Sequence, residues 1–394
     1  MLSHFGRMVL RRTGHAVYEA EYNVARYWQE GSHWEYSPQV ERRRLKGKTG
    51  VSGIMTRVER VFTVIEGSRP DRVPNMPLIS FATARLVGIS AGEYYRSTDA
   101  MAKSILAGLE TYGYDGVTVG GDLTVEAQAL GMKAEFPKDQ APQVHPPIVE
   151  TAEDLATLSV PNPKSAGRMP VFIEAIKTIR KKTGGEVFIK STTASPFVLA
   201  GHLLGIENLM LLTVTEGDFL NDVLAFCAKV VLAYAVVQCE AGAHAVGFGA
   251  ALASPDLLSP VDYTELVQPH EQNIIDTIHE MGCKHVVHIC GNSLPIIGNM
   301  AEAGSDIIDL DQNVDILKAK EAMGDRSTIR GNLDPIGVMV NGTPDQVLEA
   351  SRECIEKAKP GGRFILAPGC TVAYNTPPAN IHALQRAVEE FGAY

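Results

Sequence analysis

The stretch DQVLEASRECIEKAKPGGRFILAPGC, residues 345–370, decides how the chain is read. Its first fifteen residues carry apolar side chains at helical spacing. A Pro-Gly-Gly break follows, then the short apolar run RFILAPG at 363–369, and Cys370 comes directly after that run. Helix, turn, buried strand is half of a βα repeat.

The same alternation runs backward to about residue 74. Apolar, β-branched runs occur at PNMPLIS (74–80), DGVTVGG (115–121), EVFIKST (186–192), HAVGFG (244–249), HVVHICG (285–291), SDIIDLD (305–311) and STIRGNLD (327–334). Amphipathic segments such as AMAKSILAGLETYGY (100–114) lie between them. Eight strands alternating with helices predict an α/β protein built as a parallel (β/α)8 TIM barrel over residues 55–394. A doubly wound open sheet is the alternative. It loses support because no G-x-G-x-x-G opens the first helix and no Walker-type glycine loop is present.

Residues 1–54 stand apart as an N-terminal extension. They hold Trp28 and Trp34, tyrosines 22, 27 and 36, and the basic run from Arg42 to Lys48. The expectation is a helical arm packing its aromatics on the barrel or on a second subunit of a homodimer, followed by a solvated basic linker. A docking surface for an acidic partner, or a lid over the barrel mouth, is the sharper alternative.

Composition narrows the function. The net charge is -10, and residues 1–60 hold eleven Lys/Arg against six Asp/Glu, so the rest of the chain carries about -15. Such an acidic body argues against nucleic acid as the main ligand. The longest apolar run, VVLAYAVVQC from Val230, stops at Glu240, short of the ~18 residues a membrane span needs. With no apolar signal core in MLSHFGRMVLRRTG, a cytoplasmic protein is expected. Its six cysteines should then be reduced thiols or ligands rather than a disulfide framework.

In a (β/α)8 barrel, catalytic groups come from the C-terminal ends of strands. His288 and Cys290 lie at the end of the fifth expected strand, two apart, where strand alternation turns both to one side. A bare H-x-C reads first as core packing, and Cys227, Cys239, Cys283 and Cys354 read as small hydrophobes. Cys370, at the same rim, completes one imidazole and two thiolates, the Cys2His set that binds zinc and leaves a fourth position open.

These residues carry a family resemblance. MTRVERVFTVIEGSRPDRVP from Met55, RGNLDP at 330–335 and GCTVAYNTPPANIHAL at 369–384 resemble segments of the uroporphyrinogen decarboxylase superfamily. The decarboxylase branch carries an arginine-rich segment after the first strand. Here that segment reads ISFATARLVG, with Arg85 alone, and Cys370 stands where the terminal loop of that branch has a histidine. HICGN, LAPGC and ASPDLLSP (253–260) resemble instead the zinc-dependent corrinoid methyltransferase branch.

That resemblance implies His288, Cys290 and Cys370 as ligands of Zn2+. It also implies methyl transfer between a corrinoid and a small substrate, either a thiol such as coenzyme M or a methyl donor such as methanol, a methylamine or a methoxylated compound. Two cysteinates neutralise Zn2+, so a thiolate in the fourth position brings the centre to about -1 and leaves sulfur nucleophilic. No D-x-H-x-x-G segment is present, so methylcobalamin or cob(I)alamin would be carried by a separate corrinoid protein, whose approach an acidic body with a basic arm could steer.

Asp122 matches the position of the superfamily's aspartate after the second strand, with helix capping as the alternative. Asp309 and Asp311 alternate at the end of the sixth expected strand, and Asn332 with Asp334 at the seventh. Asp122, Asp311 and Asn332 are taken as candidate substrate-binding residues. For the GNLDP segment, holding barrel geometry is the plainer alternative.

Overall fold

A computed structural model of the protein describes residues 7–9, 19–21, 55–215 and 217–394. The chain divides into two units, Met1–Gly47 and Lys48–Tyr394. In the first, Arg7–Val9 pairs with Glu19–Glu21 as a short antiparallel ladder. Helix was expected there; three-residue strands are too short to leave a periodic signature. The aromatic and basic stretch from Tyr22 to Lys48 lies outside the described residues.

The second unit is built on a parallel sheet of seven strands: β1 (Gly116–Val119), β2 (Phe188–Ala194), β3 (Ala245–Gly249), β4 (Lys284–His288), β5 (Ile307–Asp309), β6 (Thr328–Leu333) and β7 (Phe364–Pro368). They pair in chain order, each with the next. A doubly wound sheet would reverse direction at a switch point, and this one does not. Each strand matches its expected run to within three residues.

The first expected strand, at 74–80, departs from that reading. It joins no ladder; Asn75 forms a single parallel bridge with Leu366 of β7. There Leu366 N donates to the Pro74 carbonyl at 2.8 Å, and Met76 N donates to the Leu366 carbonyl at 3.0 Å. On the opposite side, Asp115 N donates to the Asn75 carbonyl at 2.7 Å, just before β1 begins. Pro74 has no N–H to donate toward β7 and Pro77 none toward β1, so each pairing loses a donor.

The curled sheet encloses a small apolar cluster. Met76, Phe188, Ala245, Val286, Ile307 and Ile365 pack against Val58, Val61, Val64 and Ile65 of helix Arg57–Ile65. Side chains spaced three and four apart put that helix's apolar face on the sheet interior, each buried aliphatic contributing up to ~1.5–3 kcal/mol. A reciprocal Thr56–Glu59 capping box starts the helix. Arg60 then ties it to the sheet, donating to Asp71 and to fully buried Asp115 at 2.6 Å each.

Outside the sheet, helices Thr98–Tyr112, Met169–Lys182, Gly217–Glu240, Gln268–Glu280 and Pro344–Ala358 bury the larger core. Gly217–Glu240 is long and apolar enough to cross a membrane by composition, but half of its most apolar window is buried inside the protein. That burial is what a core helix shows.

Candidate metal centre

Strand β4 ends at His288, so Cys290 sits in the loop just beyond it rather than within the strand. Strand β7 ends at Pro368, and Cys370 follows Gly369 in its own loop. The fold brings the three together: one donor atom from each of His288, Cys290 and Cys370 lies within 4.8 Å of the other two. His288 is buried and the cysteines are half-buried. Nε2 of His288 is 3.3 Å from the Cys290 sulfur. Donors bound at 2.0–2.3 Å around one tetrahedral ion are separated by roughly 3.5 Å, so modest closure would complete a Cys2His site. Among the described residues this is the group of three metal-capable side chains that converges.

Local packing explains the convergence. Gly369 lies so close to the next loop that a Cβ there would fall 2.5 Å from the Gln312 amide nitrogen. Its own N–H donates to the Leu333 carbonyl at 2.7 Å, carrying the β6–β7 pairing past the strand end. Asp311 joins the two cysteine loops: its backbone abuts Gly369, and its carboxylate accepts from Gly291 N at 3.0 Å. Gly291 has φ +83°, and a Cβ on it would meet the Asp256 carboxylate at 2.3 Å.

The remaining hydrogen-bonding capacity of the other candidates is largely used within the protein. Asp311 also accepts from Asn313 N and Nδ2, both at 2.9 Å. The Asn332 amide donates to the carbonyls of Asp311 (2.9 Å) and Val314 (2.8 Å). Asp122 is buried, ion-paired with Arg168, and accepts from Thr124 N at 2.8 Å and Thr124 Oγ1 at 2.7 Å. Asp334 accepts from Ile336 N and Gly337 N at 2.8 Å each, turning its own loop. Arg85 donates to the carbonyls of Tyr374 (2.7 Å) and Thr376, so its guanidinium braces the loop after Cys370. Phe81 stacks on Tyr374 in the same brace, centroids 5.9 Å apart.

The electrostatics of the trio follow from this crowding. Hydrogen bonding from Cys290, then from His288, outweighs burial and holds the Cys370 thiol well below its ordinary pKa. The same bond, with burial, pushes Cys290 up. Burial pulls His288 down, but its hydrogen bond and attraction to Cys370 more than offset this and leave it raised. Nδ1 of His288 faces the Asp309 carbonyl at 3.3 Å, which leaves Nε2 aimed at the sulfurs.

Sequence reading missed Lys190 on β2 and Arg330 on β6. Both are 2 % exposed and gather on Asp309 beside His288. The available signal was a charged residue at an inward-facing position of a buried strand, EVFIKST and STIRGNLD, where charges are rare unless paired. Asp256, exposed and packed over Gly291, was passed over as part of the ASPDLLSP segment.

Residues 56–391 match the uroporphyrinogen decarboxylase (URO-D) family. The chain is 31% identical over 339 residues to a methylated-thiol–coenzyme M methyltransferase of Methanosarcina mazei, covering 85% of this chain and 90% of the relative. It is 32% identical over 339 residues to the methylcobamide:CoM methyltransferase MtbA of Methanosarcina acetivorans, covering 84% and 96%. Among solved structures, a methyltransferase from Methanosarcina mazei superposes with a TM-score of 0.79 at 29% identity, over 86% of this chain and 99% of that one.

Proposed function

The chain belongs to the uroporphyrinogen decarboxylase (URO-D) family, and on that premise we propose that it is a corrinoid-dependent methyltransferase whose metal centre is His288, Cys290 and Cys370. Residues 55–394 are the catalytic domain and residues 1–54 an extension to it. Pro74–Ser80 serves as the eighth strand of a (β/α)8 barrel, bridging β7 and the start of β1. The reaction moves a methyl group from a corrinoid, carried by a separate cytoplasmic protein, to a small thiol of the coenzyme M kind.

The observation that carries this reading is the convergence of one imidazole and two thiol sulfurs at the ends of β4 and β7. That donor set suits zinc with one position left for substrate. Zinc bound there supplies Lewis-acid stabilisation of a substrate thiolate at neutral pH. The rest is done by the chain. The Asp309 carbonyl fixes the ring of His288, Asp311 holds the Gly291 N–H and packs against Gly369, and Arg85 with Phe81 braces the Tyr374 loop.

A decarboxylase needs cations free to grip substrate carboxylates. Arg85, the arginine of the first segment, is spent on backbone carbonyls, which supports the methyltransferase reading.

The test is an absorbance assay with methylcobalamin and a panel of small thiols. The expected result is loss of the methylcobalamin spectrum in the presence of protein and thiol, abolished by Cys290→Ser or Cys370→Ser. No spectral change with any thiol, using protein shown to hold one zinc per chain, would overturn the proposal.

A further inference from the structure

The interior of the sheet holds a second chemical feature. Lys190, Asp309 and Arg330 point inward from β2, β5 and β6 and are 2 %, 5 % and 2 % exposed. Lys190 Nζ lies 3.7 Å from Asp309 Oδ2, and the Arg330 guanidinium bonds the same oxygen. To reach β5, the Lys190 side chain crosses Gly247 of β3 so closely that a Cβ there would lie 2.2 Å from its Cε. Asp309 is the register partner of both His288 and Arg330, which places the cluster level with the imidazole.

Two cations against one carboxylate leave a surplus of +1 in a buried place. Nη1 of Arg330 has no partner there, nor has Oδ1 of Asp309. Burying unbalanced charge is costly, and a pair or an apolar substitute would be the stabler choice. Burial and then the Arg330 guanidinium push the Lys190 ammonium down to about 8, against the pull of Asp309. A further negative charge nearby would restore it.

We propose that Lys190, Asp309 and Arg330 form a buried counter-charge for the metal centre, matched to the single negative charge it gains when a thiolate enters. This rests on the metal-centre reading above. The Cys2His zinc site is neutral by itself, so the surplus has nothing to balance until the anion arrives. The cluster therefore selects for a thiolate over a neutral ligand at the open position. These are positioning residues: their role is to set the field at the open position, not to ligate the metal or the substrate.

The experiment uses the full chain loaded with Co2+ in place of zinc, whose visible spectrum reports ligand entry. Wild type and Lys190→Met are titrated at about pH 7 with 2-mercaptoethanol and, separately, with imidazole, a neutral ligand. The expected result is unchanged metal stoichiometry, thiol binding weakened about tenfold, and imidazole binding within about twofold of wild type, because a unit charge several ångströms away acts on an anion and not on a neutral donor. Equal weakening of both ligands, or an unchanged thiol affinity, would overturn the counter-charge role. If Lys190→Met does not fold, Lys190→Gln is held to the same criteria. Failure of wild type to take up Co2+ would instead overturn the metal centre itself, so the two proposals fail by different results.

Discussion

Asp311 shows how one side chain can matter to a site without touching a ligand. Its carboxylate satisfies Gly291 N and both amide nitrogens of Asn313, while its backbone packs on Gly369, so the loops bearing Cys290 and Cys370 share one support. Asp311→Ala leaves those donors unpaired in a 5 % exposed setting, an expected loss of about 1–3 kcal/mol, readable as a lower urea midpoint. Because the cysteine loops lose their common anchor, metal affinity should also fall by roughly 10–100-fold in a chelator competition. An intact affinity would show that the loops hold themselves. At Gly291, φ +83° and the Asp256 carboxylate both oppose a side chain. Gly291→Ala is therefore expected to weaken metal binding with little change elsewhere, checked by the same competition.

At the scale of elements, strand ends carry the proposed metal centre and buried polar groups join strands to helices. Glu126, in the short helix Val125–Ala129 after β1, accepts from Ala194 N at the end of β2 at 3.0 Å. Burial raises its pKa to about 8, and its second oxygen has no partner. The unfolded carboxyl titrates at about 4.3. A folded pKa above that means the contribution is fully present below about pH 4.3 and is lost as pH rises toward 8. Glu126→Gln keeps the acceptor and removes the titration, so thermal melts of the variant should gain on wild type between pH 5 and pH 8. A constant difference across that range would contradict the assignment.

Seven strands were legible in the sequence because buried parallel strands are continuous apolar runs bounded by turns. Pro74–Ser80 has the same apolar look, yet it bridges instead of pairing: the prolines that mark its ends also remove its donors. The grouping of His288, Cys290 and Cys370 was legible because one ends a strand and the other two follow strand ends. The Lys190–Asp309–Arg330 cluster was not, since it depends on which strands face one another across Gly247, a fact of three-dimensional register.

At the scale of the second unit, helix Arg57–Ile65 closes one end of the curled sheet with aliphatic side chains, and the sulfurs of Cys290 and Cys370 lie at the opposite strand ends. The packed helix and the proposed metal centre thus lie at opposite ends. Arg60, joined to Asp71 and Asp115, secures the closed end. Its hydrogen bonds and charge overcome burial to hold the Asp71 carboxyl below its ordinary value. That contribution is present above about pH 4 and lost as pH falls through the lowered folded value. Acid unfolding followed by circular dichroism should begin at higher pH in Asp71→Asn than in wild type.

Zinc X-ray absorption on the purified protein, before and after addition of a small thiol, reads the proposed Cys2His centre directly. Two sulfurs at ~2.3 Å and one imidazole nitrogen at ~2.0 Å are expected, rising to three sulfurs when the thiol binds. A zinc-free protein, or a sulfur count that stays at two in saturating thiol, would contradict that centre.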